Sequence, residues 1–337
     1  MITRYVSPIL IIVLIFASLG ILSAGGSQEA AEEQELTEVT LLLDWVPNTN
    51  HTGVYVAKEK GWYAEEGLEL EVKRPSESQT PLLVAAGKGD FSFTHQETVT
   101  FARTSENPVP VRAIAAVIQH NTSGFASPAE RGIDSVEDFE GKTYGGWGSE
   151  FEEALLQAVM EKAGADFPTV EIVNVGTTDF FASFRQGIDF RWIFYGWDGI
   201  RAEVEGRDFN YIPLIDIDPK LDYYTPVLIT SNSMIEKKPE IVRAFLRATT
   251  QGYNYAIEHP DESANILLEY AEDLKPEFAR ASQRYLSKRY KGDAEQWGVM
   301  KEKLWRNFSD FMYEYDLLKK PLEVEEAYTN EFLPETK

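Results

Sequence analysis

The residues with most chemistry to offer fall in three turns and at four histidines. Tyr195-Gly196-Trp197-Asp198-Gly199 sets a phenol and an indole beside a carboxylate. Aromatic faces stack on a planar ligand, a contact worth roughly 0.5–1.5 kcal/mol per aromatic pair beyond area burial. A neighbouring carboxylate accepts hydrogen bonds from an exocyclic amino group, and its charge strengthens them. Together these groups suit an amino-substituted aromatic heterocycle. A structural reading is also open, in which Trp197 plugs a core and Asp198 caps a helix starting at Gly199.

The second turn, residues 44–52, reads Asp-Trp-Val-Pro-Asn-Thr-Asn-His-Thr. Pro47, Asn48 and Asn50 are ordinary turn formers one by one, but the concentration of donors and acceptors exceeds what a turn needs. The third, Gly145-Gly146-Trp147-Gly148-Ser149, opens a helix, and backbone N–H groups there can hold phosphate or carboxylate. It is neither a Walker loop nor a dinucleotide fingerprint. Glu150 and Glu152 in the first helical turn repel a strong anion, so a neutral or weakly charged ligand fits better.

His51, His95 and His120 each follow an expected strand, and His259 lies in the helical part. The first three could converge on a metal, but no HxH or HxxxH pair occurs, and polar groups at strand ends are the simpler reading; no metal site is expected. No GxSxG elbow, no HExxH helix and no strand-end lysine for an imine is present. These motifs therefore offer no catalytic constellation of a familiar kind.

The elements that must position these groups alternate. Residues 39–45 read as a strand and 52–60 as a helix, followed by strands at 68–72, 91–94 and 111–119 with helices at 80–87 and 97–104. That spacing predicts a parallel sheet covered on both faces, and in such a sheet ligands bind where strand ends meet helix starts. Residues 121–128, rich in Ser, Gly, Asn and Pro, suit a crossing between domains. A second α/β unit follows, with strands at 143–147, 170–175 and 190–195. Its helix from Ser149 carries a capping-box signature through Glu152, a stripe of Phe151, Ala154, Leu155, Ala158 and Val159, and a stop at Gly164. A second helix covers 179–186. Residues 223–231 cross back, and from Lys238 the pattern is helical, with stripes at Ile241, Ala244, Phe245, Ala248 and at Leu304, Phe308, Phe311, Met312.

At 337 residues the chain fits two domains. With 43% hydrophobic and 12% aromatic residues it is globular, and a formal charge of −23 argues against nucleic acid, which needs a basic face. No cysteine is present, which excludes disulfides, thiolate chemistry and lipidation through an N-terminal cysteine. Arg4, the apolar run 9–22 and Ser23-Ala24-Gly25-Gly26 form an export signal, either cleaved or kept as an anchor. The expected organisation is a signal peptide at 1–26, a flexible tether at 27–38, one lobe from 39–124 and 228–337 with the C-terminal helices, and a second lobe at 125–227.

LDWVPNTNHTGVYVAKEKGWYAEEGLELEV, GKGDFSFTHQETVTFAR, GKTYGGWGSEFEEALL, WIFYGWDGI, DYYTPVLITSN and TNEFLP resemble the extracytoplasmic solute-binding proteins of ABC importers for thiamine pyrimidine precursors. The resemblance covers nearly all of the chain after the export signal. It implies a type II periplasmic-binding-protein fold, two doubly wound α/β lobes joined by two crossing segments, with an aminopyrimidine such as hydroxymethylpyrimidine or its formylaminomethyl relative in the cleft. It further implies a periplasmic or extracytoplasmic monomer that delivers its ligand to a membrane permease and ATPase. Carried over, Trp45, Asn48, Tyr195, Trp197 and Asp198 would contact the pyrimidine, with Glu97 and Trp147 as further cleft candidates. Asp198 stands where the family often has Glu.

The same superfamily holds a thiamine pyrimidine synthase, which consumes its own histidine and a pyridoxal phosphate held by a lysine, with iron. This chain departs from it and is read as a binder and not an enzyme. The synthase's cysteine-rich motif has no counterpart, and Thr94 and Thr98 stand where its lysine and histidine align, with His95 out of register. A ligand sensor using the same cleft is a third reading that the sequence does not separate from transport.

Overall fold

The computed structural model describes residues 35–75, 79–176 and 178–335, and Glu35–Lys337 forms one compact unit. The expected signal peptide and most of the expected tether lie outside the described residues. The first strand, β1 (Thr37–Leu42), starts inside the stretch read as tether.

In lobe 1, β1 pairs in parallel with β2 (Leu68–Lys73) and β3 (Phe91–Thr94). With β4 (Val111–Ala116) and β10 (Val227–Ser231) the sheet order is β2-β1-β3-β10-β4. One expectation fails here, because β10 runs antiparallel between β3 and β4 and the sheet is mixed. The chain returning from the second lobe enters the sheet from the opposite end, so its strand must run against its neighbours. Val39, Leu41, Phe91, Phe93 and Leu228 are buried in a core closed by the helix Pro239–Glu258, whose Phe245 stacks on Phe91 at 3.8 Å.

Lobe 2 is built on β5 (Ser123–Pro128), antiparallel to β8 (Arg191–Phe194) on one side and β9 (Phe209–Pro213) on the other. The parallel pair β6 (Thr143–Gly146) and β7 (Glu171–Asn174) joins through the bridge from Tyr144 to Phe190. Residues 121–128, read as a crossing from their small side chains, are therefore mostly a central strand. The small residues serve close packing: a Cβ on Gly124 would lie 2.4 Å from the Ile212 carbonyl.

The helix Glu150–Ala163 starts at Ser149, whose hydroxyl accepts from the Glu152 amide at 3.1 Å, and ends at the left-handed Gly164. Only half of the expected capping box forms. The Glu152 carboxylate turns inward to accept from the Tyr144 hydroxyl and the Trp147 amide, the latter at 2.7 Å.

The crossing segments 117–122 and 222–226 are bonded side by side. The Asp222 carboxylate accepts from the Asn121 amide at 3.0 Å and pairs with His120 at 2.7 Å, while the Asn121 side chain donates to the Leu221 carbonyl. His120 also meets Asp293 at 3.0 Å, from the loop after the helix Pro276–Tyr290. A third connection departs from the expected assignment of all C-terminal helices to lobe 1. The helix Glu302–Glu314 puts Trp305 into the lobe 1 core with Val227 and Ile229, but Phe308, Phe311 and Met312 into the lobe 2 core. Phe308 stacks on Tyr223 at 4.0 Å.

His120 yields a pH prediction. Bonding to Asp222 outweighs partial burial and, with Asp293, pushes its pKa up to about 9. The folded value lies above the ordinary one near 6.5, so this contribution is complete below about pH 6.5 and is lost as pH rises through about 9. In calorimetric scans, His120→Gln should melt below wild type at pH 6, with the gap closing by about pH 10. A gap that does not narrow with pH would contradict a charged clasp.

Candidate functional site

A cleft of about 710 Å³ opens between the lobes, lined from lobe 1 by Asp44, Trp45, Asn48 and His95 and from lobe 2 by Trp147, Asp179, Arg191, Trp192, Phe194, Trp197, Asp198 and Arg201. The strand ends of both lobes face it, as the α/β rule requires.

The lobe 1 wall is a self-bonded turn. Asn48 caps the short 3-10 helix Thr49–His51, its side-chain oxygen accepting from the Asn50 amide at 2.8 Å and its amino group donating to the Val46 carbonyl at 2.9 Å. The Asn48 amide donates to His51 Nδ1 at 3.2 Å, so the proton on the His51 ring sits at Nε2, which donates to Asp44 at 2.8 Å. The other Asp44 oxygen meets His95 Nε2 at 3.3 Å, and His95 Nδ1 meets Glu97 at 3.0 Å. Burial acts to raise the Asp44 pKa, yet the bonds from both imidazoles hold it well below the ordinary carboxylate range. For His95 burial acts downward, but Glu97 and Asp44 prevail and push it up to about 10, an imidazolium at neutral pH.

The lobe 2 wall is aromatic and charged. Residues Tyr195–Gly199 form a π-helical turn that runs into the helix Ile200–Val204. Trp197 from this turn meets Trp45 of lobe 1 edge to face at 5.3 Å, and Trp147 lies over Phe194 at 6.3 Å and beside Trp192 at 5.4 Å. Arg191, 4% exposed, donates to the carbonyls of Gly145 at 3.2 Å and Thr178 at 2.8 Å. Arg201 pairs with Asp179. Among the described residues no donor bonds the Asp198 carboxylate. Burial pushes its pKa up to about 6, against the pull of Arg191 and Arg201.

The structure thus brings Trp45, Asn48, Trp147, Trp197 and Asp198 to one cleft. Tyr195 is not among the lining residues. The tight turn sends its ring the other way, stacked on Tyr285 at 5.1 Å with the hydroxyl bonded to Glu203. Glu97 stands behind His95 and does not line the cleft either. Nor does Asp198 cap the following helix. His51 and His95 converge on Asp44, whereas His120 belongs to the crossing. Among the described residues, no group of three or more His, Asp or Glu side chains is arranged to hold a metal.

Sequence reasoning missed Arg191, Asp179, Arg201 and Trp192 as lining residues. The available signal was a lone arginine in the apolar strand Phe190-Arg-Trp-Ile-Phe, a charge that must be satisfied locally if buried.

Two α/β lobes with strand ends facing a shared aromatic cleft define a type II periplasmic-binding-protein fold. The aliphatic sulphonate binding protein SsuA from Escherichia coli has it, with a TM-score of 0.65, 16% identity and coverage of 89% of this chain and 94% of that one. The chain belongs to the family described as NMT1/THI5 like, which matches residues 48–263. It is 29% identical to the formylaminopyrimidine-binding protein of Halalkalibacterium halodurans, over 95% of this chain and 98% of that protein. It is 24% identical to the 4-amino-5-hydroxymethyl-2-methylpyrimidine phosphate synthase of Legionella pneumophila, over 89% of this chain and 93% of that one.

The Asp44 network is testable. Asp44→Asn leaves both imidazoles without their shared anion and should cost about 3–5 kcal/mol, the range for breaking a buried ion pair. Urea denaturation at pH 7 reads this. A loss below about 1 kcal/mol would mean the turn stands on its backbone bonds alone.

Proposed function

We propose that this protein is the extracytoplasmic solute-binding component of an ABC importer and captures a thiamine pyrimidine precursor, of the hydroxymethylpyrimidine or formylaminomethylpyrimidine type, in the interlobe cleft. The observation that carries the reading is the juxtaposition of Asp198, an acid without a bonding partner among the described residues, with indoles from both lobes. An aminopyrimidine needs both a flat face and an acceptor for its amino group. Trp45, Trp197 and Trp147 supply stacking surface and Asp198 the acceptor. Asn48 shapes the rim: its carbonyl oxygen and amino group are both bonded within the turn.

The protein then works as a monomer that closes on its ligand and presents the closed form to a permease and ATPase, by preferential ligand binding to the closed state. The likeness to a formylaminopyrimidine-binding protein along almost its whole length supports this reading. The synthase chemistry does not fit the cleft. No lysine stands among its described lining residues to hold pyridoxal phosphate as an imine, and His95 has both ring nitrogens bonded to carboxylates.

A thermal-shift titration with hydroxymethylpyrimidine, its formylaminomethyl relative, thiamine and pyridoxal phosphate tests the proposal. A pyrimidine at about 100 times its Kd should add roughly 2.7 kcal/mol of stability. Stabilisation by pyridoxal phosphate alone would overturn it.

Asp198→Ala should weaken pyrimidine binding by about 1.5–3 kcal/mol in calorimetry, the range for a hydrogen bond to a charged group. With a free-protein pKa of about 6, the acid is ionised above that value and protonated below it. Wild-type affinity for the pyrimidine should therefore fall from pH 7 to pH 5, and this fall should vanish in Asp198→Asn. An unchanged pH profile in the variant would place the pyrimidine elsewhere.

A further inference from the structure

One helix of lobe 1 touches both halves of the cleft. The helix Pro276–Tyr290 belongs to lobe 1 by its core, where Leu286 and Tyr290 are buried. Its outer side packs on the lobe 2 turn Tyr195–Gly199 at four places. Phe278 meets Trp197 edge to face at 4.8 Å, and Tyr285 stacks on Tyr195 at 5.1 Å. Leu286 lies so close to Gly196 that a Cβ there would come within 2.8 Å of its Cδ2. Ser282, fully buried, bonds the Gly196 carbonyl through its hydroxyl.

The proton count fixes the direction of a relay. The Gly196 carbonyl can only accept, so the one Ser282 proton goes to it. The Thr49 hydroxyl, 2.7 Å from Ser282 Oγ, must then be the donor in that pair. Thr49 opens the 3-10 helix capped by Asn48, and its own carbonyl accepts from the Tyr290 hydroxyl. A continuous line of hydrogen bonds thus runs from the lobe 1 turn, through one serine, to the lobe 2 turn that carries Trp197 and Asp198.

We propose that Ser282 is a positioning residue for lobe closure: it latches the turn bearing Thr49 to the turn bearing Trp197 and Asp198, so that the two walls of the site close as one unit. Tyr195, turned away from the cleft, serves the same latch by stacking on Tyr285. The proposal rests on the reading of the cleft as a site that closes on a ligand. Its physical basis is a difference between states. Thr49 and Ser282 stay bonded within lobe 1, so separating the lobes breaks only the bond to the Gly196 carbonyl, which is then free to bond water. With the lobes together that carbonyl is covered, and without the Ser282 hydroxyl it loses its partner in this line, a cost that falls on the closed state.

The chain has no cysteine, so cysteines introduced at exposed Lys88 of lobe 1 and exposed Gln157 of lobe 2 can carry a clean spin-label pair. Interlobe distances are measured by pulsed electron resonance with and without saturating hydroxymethylpyrimidine, alongside stopped-flow binding. Ser282→Ala should lower the closed-to-open ratio on the order of tenfold and raise the ligand off-rate by a similar factor, with the on-rate little changed. Gly196→Ala, whose added methyl meets Leu286 only when the lobes touch, should shift distances the same way. Distance distributions of Ser282→Ala that superimpose on wild type, with and without ligand, would overturn the latch, as would a wild type with no closed population under either condition. A wild type that binds no pyrimidine while Ser282→Ala still lengthens the distance would support the latch and retire the ligand reading.

Discussion

A carboxylate removed from water must be paired, and in this protein the pairing of Asp44 organises lobe 1's half of the site. Two imidazoles from different elements share it, His51 from the turn after β1 and His95 from the start of the helix Gln96–Thr104. The backbone amide of Asn48 occupies the second His51 nitrogen, so the ring is held in one tautomer and closes the turn on itself. Trp45 sits on this closed turn with 43% of its surface exposed. An exposed indole on a rigid support loses little further freedom when a planar ligand lies against it, which favours binding without any added contact.

Lobe 2 is built on the opposite principle. Arg191 is buried against backbone carbonyls and the partly exposed Arg201 is paired with Asp179, yet neither bonds Asp198. Their charges act on that acid from a distance while its burial acts the other way. On the proposed reading such a group would discriminate by chemistry: a ligand that donates to it would fill an acceptor the lobe leaves open, and an isostere lacking the donor would not, a difference larger than one methyl group can make. On that reading, the closed turn on one side would supply rigidity and the open acceptor on the other selection.

Most of this was legible in the sequence where the determinants are local. The strand at Phe91–Thr94, the cap at Ser149, the stop at Gly164 and the helix after His51 follow from alternation, side-chain bonds and positive φ, all short-range effects. What was not legible depends on partners far away in sequence. The direction of β10 is set by where the chain re-enters the sheet, and the small residues around Gly124 read as linker because Ile212 and Tyr211, which require them, come some 90 positions later. Glu152 carries a capping signature but is drawn to Tyr144 and the Trp147 amide. The site divides in the same way. Trp197 and Asp198 could be placed from their turn, whereas the opposite heading of Tyr195 depends on Tyr285 from the C-terminal helices.

The connections between the lobes constrain how the walls can move. Two crossing segments bonded side by side through Asn121, His120 and Asp222 cannot slide past one another without breaking those bonds. The helix Glu302–Glu314 adds a strut, with Trp305 locked in one core and Phe308, one turn further on, locked in the other. A helical turn does not stretch, so separating the lobes along the line between them would tear large aromatic side chains out of a packed core at a cost of several kcal/mol each. Rotation about an axis through the crossings and the strut leaves those cores intact. Such a rotation acts mainly on contacts away from the axis, and the pairs that bridge the lobes without any chain connection, Trp45 with Trp197 and Ser282 with Gly196, are of that kind. The geometry therefore concentrates motion on the residues that would meet a ligand and spares the packing that holds the fold.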